Sequence, residues 1–288
     1  MPASDGALTG LSEIAARYDA ILCDVWGVIH NGLAAHPTAV DALLNFRRQG
    51  GRVVLITNAP RPSGPIVEML DAFGIPRDIF DGIVSSGDTT RVMIAPYRGR
   101  VIYHFGPPGI DDALYEGLGV VRGPAELAEA VVVTDMPDDN DTPDMYDADM
   151  RFWLSRGLPM ICANPDKFVE VGTQLVYCGG AMADRYADLG GEVRMAGKPY
   201  RPIYEEALKL AEGAARRAID PLRVLAIGDS VRTDAVGAAA FGVDLLFVTG
   251  SIHADELDAF GAPDPRAVRA LVAPSGARLA GFMPRLAW

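Results

Sequence analysis

The sequence predicts an α/β fold: a doubly wound parallel sheet forms a core, and a second α/β unit is inserted into it. Short buried strands alternate with helices up to residue 86, and the same alternation returns after residue 195. Strands that alternate with helices pair in parallel and bury both sheet faces. The intervening stretch has its own strands and helices. We therefore predict core residues 1–86, an inserted α/β domain at 87–194 (the insert) and core residues 195–288.

The first part of the core is predicted from apolar runs that end in polar or small residues. Each run reads as a buried strand, and each following stretch has apolar residues at helical spacing and a glycine at its end. These elements are strand Ala20–Val25, helix Pro37–Arg48, strand Arg52–Thr57, helix Ile66–Phe73 and strand Ile83–Ser86.

The same patterns continue in the insert and in the second part of the core. In the insert they predict strands Val101–Phe105, Val131–Thr134 and Met160–Ala163 and helix Met145–Arg156. In the core they predict helix Ile203–Arg217, strand Val224–Ile227, helix Asp234–Phe241 and strand Leu245–Val248. The acidic run Asp135–Asp149 reads as an interruption of the insert, and Ala262–Trp288 receives no element.

Composition excludes several classes of partner. The formal net charge is -12, which argues against nucleic acid or an anionic membrane surface, since both select basic proteins. No apolar stretch reaches about 18 residues without charge, so no membrane span is expected. The first residues lack a basic start followed by an apolar run, which predicts no signal peptide. Three widely spaced cysteines form neither a metal motif nor an even disulfide set, which favours a reducing cytoplasm.

Polar residues stand where three core strands end. Asp24, Thr57-Asn58 and Asp229 each follow a buried run, and Asp234 lies close behind Asp229. A polar residue at one strand end is often only a helix cap. Together, however, these residues converge on the carboxyl edge of one sheet, which is where open parallel sheets bind ligands. Carboxylates gathered there repel one another unless a hard cation holds them, and this predicts Mg²⁺.

Lys198 is the candidate cation of this site. It lies in the segment AGKPYRP, before a proline and a helix. A single lysine is usually a solvated surface charge. At the same sheet edge, its ammonium group would instead neutralise a carboxylate and a phosphate oxygen.

Four segments that hold these residues resemble the motifs of the haloacid dehalogenase superfamily. In chain order they are DVWGVIHNG, ITNAP, GKP and GDSVRTD. The insert is similar to the large α/β (C2-type) cap of the class IIA branch, which includes 4-nitrophenyl phosphatase, pyridoxal phosphatase and the sugar phosphatase of the N-acetylglucosamine operon. The segments ANPD and CGGAMADRY resemble recurring parts of that cap. The resemblance implies a Rossmann-like core, a cap domain and a metal-dependent hydrolase.

The resemblance also implies roles for individual residues at the metal site. Asp24 would attack phosphorus and form an aspartyl phosphate, which is a known covalent strategy of carboxylates. The side chains of Asp24 and Asp229 and the backbone carbonyl of Trp26 would bind Mg²⁺, and Asp234 would support them from a second layer or directly.

Around the phosphoryl group, Thr57 and the backbone amide of Asn58 would hold the oxygens, and Lys198 would complete the cradle. Such positioning and charge stabilisation supply most of the catalysis in phosphoryl transfer. Asn164 and Asp166, in the ANPD segment, are candidate substrate contacts from the cap. The expected partner is a small phosphorylated metabolite, and a homodimer through the cap is compatible with its size.

Trp26 departs from the family pattern. The phosphatases carry at this position a second aspartate, which protonates the leaving group and then activates water, whereas an indole N–H only donates. Three explanations stay open: a substrate with a good leaving group or its own acid, His30 as a substitute acid and base, or loss of turnover. Trp26 also fits an apolar wall beneath the cap. The predicted function is therefore a Mg²⁺-dependent phosphomonoester hydrolase, with a phosphometabolite-binding protein and a hydrolase of another bond, such as carbon–halogen, as alternatives.

Overall fold

The computed structural model of the chain describes residues 6–171, 174–258 and 263–288. Two wholly parallel sheets organise it, one of six strands and one of five, with helices on their faces. This confirms the predicted α/β class with a doubly wound parallel sheet and a second α/β unit. The domain limits at residues 86 and 194 stay a prediction.

The first part of the core contributes three strands and two α-helices, and a third helix, Ser86–Ile94, leads into the insert. The helix Pro37–Arg48 begins with proline, whose missing N–H has no partner in a first helical turn anyway. The elements are β1 (Ala20–Asp24), α1 (Pro37–Arg48), β2 (Arg52–Thr57), α2 (Ser63–Ala72), β3 (Gly82–Ser85) and α3 (Ser86–Ile94).

The insert forms the five-stranded sheet and a separate antiparallel hairpin. The helical turn Pro143–Tyr146 leads into its longer helix, where we predicted one continuous helix from Met145. The elements are β4 (Val101–Phe105), β5 (Val121–Arg122), β6 (Val131–Val133), α4 (Asp147–Ser155), β7 (Met160–Cys162), β8 (Phe168–Val171), β9 (Gln174–Tyr177), α5 (Gly179–Asp188) and β10 (Val193–Met195).

The second part of the core completes the six-stranded sheet. The helix predicted from Asp234 is different in the structure, because a π-helical turn over Val231–Ala235 precedes the α-helix. The elements are α6 (Arg201–Ala215), β11 (Val224–Gly228), α7 (Val236–Phe241), β12 (Asp244–Val248), α8 (Pro265–Val272) and β13 (Arg278–Met283).

Strand order places the first and second parts of the core side by side. The six-stranded sheet runs β13-β12-β11-β1-β2-β3, so β1 pairs with β2 on one side and with β11 on the other. The insert sheet runs β10-β7-β6-β4-β5. Ala262–Trp288, which the sequence left without an element, supplies α8 and the edge strand β13; residue 262 itself lies outside the described residues.

Burial of β1 on both faces explains its unbroken apolar run. Ile21 and Cys23 pack into the core layer that contains α1 and α2, whereas Ala20 and Leu22 pack into the layer that contains α6, α7 and α8. Alternate side chains of a strand point to opposite faces, and parallel sheets are covered on both. The buried sheet therefore leaves only its carboxyl edge for polar chemistry.

Within the described residues, no helix is both long enough and apolar enough to cross a bilayer. Cys23, Cys162 and Cys178 are buried free thiols.

Candidate active site

The polar residues predicted at strand ends meet at one edge of the core sheet. Asp24 ends β1, Thr57 ends β2, and Asp229 directly follows β11. These three strands are neighbours in the sheet, so their carboxyl ends bring the side chains together. Asp24, Thr57, Asn58 and Asp229 line one cavity of about 590 Å³ that the core shares with the insert. We call Asp24, Thr57, Asp229 and Asp234 the core rim.

Three carboxylates of the core rim form a tight cluster. One oxygen each from Asp24, Asp229 and Asp234 lies within 4.8 Å of the others, and all three residues are buried. Gly27 makes this approach feasible: its φ of +80° suits glycine, and an added Cβ would overlap Oδ2 of Asp229. Ser251 also hydrogen-bonds to Asp229.

Lys198 lies inside this cluster rather than at the surface. Its Nζ is 2.7 Å from Oδ1 of Asp24 and 2.7 Å from Oδ1 of Asp234, and the residue is 2% exposed. Burial alone would lower the pKa of the ammonium group, but the carboxylates of Asp234 and Asp24 outweigh burial and hold that pKa well above its usual range. Lys198 therefore remains charged at neutral pH.

The carboxylates outnumber the one ammonium group. Burial, reinforced by the charge of Asp234, raises the pKa of Asp24 well above its usual range, and the same causes raise the pKa of Asp229 to about 7. An oxygen-only donor set suits a hard divalent cation. One such ion and Lys198 together balance the charge of three carboxylates. The residues present therefore fit the predicted Mg²⁺, with Asp24, Asp229 and Asp234 as the groups that would hold it.

Thr57 and Asn58 have different surroundings at the end of β2. The Thr57 hydroxyl accepts the N–H of Ala59 at 3.2 Å and lies at the cavity wall. The Asn58 side chain joins three segments: its Oδ1 accepts the Lys198 N–H at 2.7 Å, and its Nδ2 donates to Oδ1 of Asp166 at 3.0 Å. The Asn58 side chain therefore fixes the position of Lys198.

Trp26 and His30 pack as a pair beside Asp24. Their ring centroids are 4.9 Å apart in an edge-on arrangement, and His30 also stacks on Phe73 at 4.9 Å. His30 is fully buried, and burial lowers its pKa to about 4. Its Nδ1 accepts the N–H of Gly32 at 3.0 Å, so the ring proton of the neutral imidazole lies on Nε2. His30 therefore has no free basic nitrogen and is not protonated at pH 7.

The ANPD segment brings the insert to the core rim. Asn164 is 5% exposed, donates to Oδ2 of Asp135 at 3.3 Å and accepts the N–H of Asp166 at 3.2 Å. Asp166 also lines the cavity, and burial raises the pKa of its carboxyl group. Both predicted contacts of the insert therefore face the same cavity as Asp24.

Comparison with known proteins agrees with these motifs. The family model of haloacid dehalogenase-like hydrolases matches residues 21–119, and a related model of the same family matches residues 195–273. The structure of a haloacid dehalogenase-like hydrolase from Brucella suis is 41% identical over 96% of this chain and 98% of that one, with a TM-score of 0.85. The chain belongs to the haloacid dehalogenase-like hydrolase family. The predicted family membership is thereby confirmed.

More distant structures share the fold of this haloacid dehalogenase-like hydrolase. A possible sugar phosphatase from Cytophaga hutchinsonii is 19% identical, covers 96% of each chain and has a TM-score of 0.76. A glycerol phosphate phosphatase from Mycobacterium tuberculosis, in complex with magnesium, is 23% identical over 88% of this chain and 74% of that one, with a TM-score of 0.62. No curated protein matches the chain.

The sequence predicted only Asn164 among three polar residues at the opposite wall of the hydrolase cavity, and Asp111 and Asp135 were missed. Asp111 lies in the loop after β4, Asp135 lies two residues after β6, and Asn164 lies two residues after β7. We call Asp111, Asp135 and Asn164 the insert rim. The strand-end rule that found Asp24 and Asp229 would have found Asp135 too, had it been applied to the predicted strand Val131–Thr134. The acidic run that we read as an interruption contributes to this wall instead.

Proposed function

We propose that this hydrolase is a Mg²⁺-dependent phosphomonoesterase that acts on a small metabolite, with Asp24 as its nucleophile. The observation that carries the proposal is the ammonium group of Lys198, held 2.7 Å from both Asp24 and Asp234 among three clustered carboxylates. A buried cation at that point serves to hold a nucleophilic carboxylate and an anionic ligand together. The sugar phosphatase and the glycerol phosphate phosphatase named above agree with this substrate class.

Residues of the chain itself position the nucleophile and the phosphoryl group. A carboxylate oxygen of Asp24 forms a bond to phosphorus as the ester P–O bond breaks. The leaving oxygen keeps the electron pair of that bond and departs into the shared cavity as a phenolate or, with a proton from water or from the substrate itself, as an alcohol. Thr57 and the backbone N–H of Asn58 hold phosphoryl oxygens, and Lys198 offsets their charge. Bound Mg²⁺, held by Asp24, Asp229, Asp234 and the Trp26 carbonyl, would neutralise phosphoryl charge.

The positions of Trp26 and His30 supply no general acid or base to this site. Trp26 replaces the aspartate that would protonate the leaving group, and an indole does not titrate in the required range. His30 does not replace it, since burial lowers its pKa to about 4 and its Nδ1 already accepts the Gly32 N–H. We therefore infer fast attack on esters that have a good leaving group or bring their own acid, and slow hydrolysis of the aspartyl phosphate.

The test is the first turnover of 4-nitrophenyl phosphate, followed with and without Mg²⁺. Its leaving group needs little protonation, so phosphorylation of Asp24 does not depend on a general acid. We expect a Mg²⁺-dependent burst of nitrophenol close to one equivalent per active site, followed by a slow steady rate. The matched control is Asp112→Asn, an exposed aspartate outside the cavity, which retains the burst.

The alternative functions predict different traces. Steady turnover without a burst would assign the base to another cavity carboxylate, of which Asp166 lies beside Asn58. Phosphate binding without any nitrophenol release would favour a phosphometabolite-binding protein. Release of halide from a haloacid, and no cleavage of phosphate esters, would favour carbon–halogen chemistry; the clustered carboxylates argue against that, since dehalogenation needs no metal.

We also propose that the protein works in a reducing cytoplasm. Its three cysteines are buried free thiols that lie in different elements of the fold. Pairing of two copies through the insert stays a prediction.

A further inference from the structure

The insert rim lies in the same cavity as the core rim and has a separate set of polar groups. Asp111, Asp135 and Asn164 follow parallel strands of the insert sheet, and the cavity lining contains all three. The carboxyl edge of a parallel sheet is its usual ligand-binding edge. The two sheets of this hydrolase therefore direct their binding edges into one shared space.

Asp111 has an unsatisfied buried oxygen in this wall. The residue is 1% exposed, its Oδ1 accepts Arg61 Nε at 3.2 Å, and its Oδ2 is buried without a hydrogen-bond partner among the described residues. A buried carboxylate oxygen without a donor is costly, and such atoms in native proteins call for an explanation. A ligand that donates a hydrogen bond would provide one.

Asp135 adds a second, partly buried carboxylate whose charge interacts with that of Asp111. It accepts hydrogen bonds from Asn164 Nδ2 and the Met136 N–H, both at 3.3 Å, and neither donor carries a charge. Burial, together with the charge of Asp111, raises the pKa of Asp135 to about 7. Asp135 therefore has no positively charged partner among the described residues.

Arg61 is the single lysine or arginine among the described residues that line the cavity, and it is already paired with Asp111. The one guanidinium group thus pairs with buried Asp111 and not with partly buried Asp135, and the exposed residues Asp138 and Asp139 add further negative charge at the lining. Ionised Asp135 therefore lacks a counter-charge, which a positively charged ligand would supply.

We propose that the insert rim binds a primary ammonium group on the leaving group of the substrate, so that the hydrolase takes aminoalkyl or amino-sugar phosphates. The ammonium group would pair with the carboxylates of Asp111 and Asp135, while the phosphoryl group occupies the core rim. Apolar side chains of Ile110 and Met136 in the same lining would contact the carbon chain between them. This assignment rests on the proposed phosphomonoesterase function and narrows its substrate class.

The test compares ω-aminoalkyl phosphates with ω-hydroxyalkyl phosphates of equal length, from two to about five carbons, by kcat/KM. We expect the amine to exceed the alcohol by at least about tenfold at the best length, because a charged hydrogen bond in a buried site is strongly discriminating. Asp111→Asn and Asp135→Asn keep the shape of the site and remove its charge. Each should bring the ratio of the two series close to one.

Asp112→Asn is the matched control. Asp112 neighbours Asp111 in the chain but is exposed and pairs with Arg122 at 2.5 Å, so its variant should keep the wild-type ratio. A wild-type ratio near one, or a preference for the alcohol, would overturn the ammonium assignment. A preference that survives both rim variants would overturn the assignment to Asp111 and Asp135.

The proposed function is checked separately, with 4-nitrophenyl phosphate. If this ester is hydrolysed but the ratio is near one, the ammonium site is wrong and the phosphatase stands. If no phosphate ester is hydrolysed, the phosphatase is wrong, and calorimetric titration with the same two series decides the ammonium site by the ratio of their affinities.

Discussion

The two rims of the cavity are built alike and differ in how their charge is balanced. Each is the carboxyl edge of a parallel sheet and carries aspartates, which are buried at the core rim, whereas at the insert rim Asp111 is buried and Asp135 is partly buried. At the core rim, Lys198 lies 2.7 Å from both Asp24 and Asp234. At the insert rim, Arg61 pairs with Asp111 alone, and the partners of Asp135 carry no charge.

This difference in charge balance indicates that the two rims bind different chemical groups. The core rim has three carboxylates and a fixed ammonium group, which suits a divalent cation and a phosphoryl group. The insert rim has two carboxylates and one guanidinium group, which leaves a deficit of a single positive charge. A substrate that carries phosphate at one end and ammonium at the other would satisfy both.

The largest expected effect comes from Asp24→Asn, which removes the nucleophile of the core rim. We expect the first-turnover rate with 4-nitrophenyl phosphate to fall by at least about a thousandfold, because the variant has no carboxylate to attack phosphorus. Asp112→Asn, at an exposed position of the insert, serves as control. Rapid release of nitrophenol by a folded Asp24→Asn variant would move the chemistry away from the core rim.

Lys198→Met tests the charge balance of the core rim through stability. Removing the ammonium group leaves the carboxylates of Asp24 and Asp234 buried together, which should lower the free energy of unfolding by about 3–5 kcal/mol without metal. Added Mg²⁺ should restore part of that loss. Chemical denaturation with and without Mg²⁺ measures the loss of stability and its recovery.

The control for Lys198→Met is Lys209→Met. Lys209 pairs with Glu206 at the surface, where both side chains are more than half exposed, so its loss should cost less than about 1 kcal/mol. Equal losses for the two variants would show that Lys198 is not the counter-charge of the core rim.

His30→Phe tests whether the ring beside Trp26 stays uncharged. The pKa of His30 is about 4 in the folded protein and near 6.5 in the unfolded chain. Between these two pH values the unfolded chain binds a proton at His30 and the folded protein does not. The contribution of His30 to stability is complete above about pH 6.5 and falls as the pH drops towards 4. Relative to the variant, wild type should lose about 3 kcal/mol between pH 7 and pH 4.

Chemical denaturation of wild type and His30→Phe at several pH values measures that difference, and other titrating groups cancel in the comparison. Phenylalanine keeps the aromatic contacts with Trp26 and Phe73. Parallel stability curves would mean that His30 titrates in the folded protein near its ordinary pKa and is available for proton transfer.

Trp26→Asp should increase steady turnover. It restores a carboxyl group two residues after Asp24, and general acid–base help is worth about 100-fold or more. The burst with 4-nitrophenyl phosphate should merge into a faster steady rate. Unchanged or slower turnover in a well-folded variant would contradict the view that the core rim lacks only a proton-transfer group.

The sequence predicted the core sheet well because its strands are buried on both faces. Continuous apolar runs such as Arg52–Thr57 have few alternative interpretations, and proline and glycine mark the ends of the helix Pro37–Arg48. The hairpin β8–β9 and the edge strand β13 were missed. Their side chains are only partly buried, so their patterns are weaker.

The sequence predicted those site residues that stand at the carboxyl end of a strand. Asp24, Thr57 and Asp229 stand at such positions, whereas Lys198 lies on a connection between the two sheets and no strand end marks it. Asp111 lies in a loop six residues beyond the end of β4, and no local pattern marks it. Its partner Arg61 is 50 residues away in the chain, so their pairing needed the structure.

The most direct test of the central claim is to trap the covalent state of Asp24. The protein is mixed with 4-nitrophenyl phosphate and Mg²⁺, quenched in acid during the first turnover, digested and weighed by mass spectrometry. We predict that the peptide containing Asp24 gains the mass of one phosphoryl group, and that this species decays more slowly than it forms. An unmodified Asp24 peptide in a sample that has released nitrophenol, or a phosphoryl group on another residue, would contradict the account.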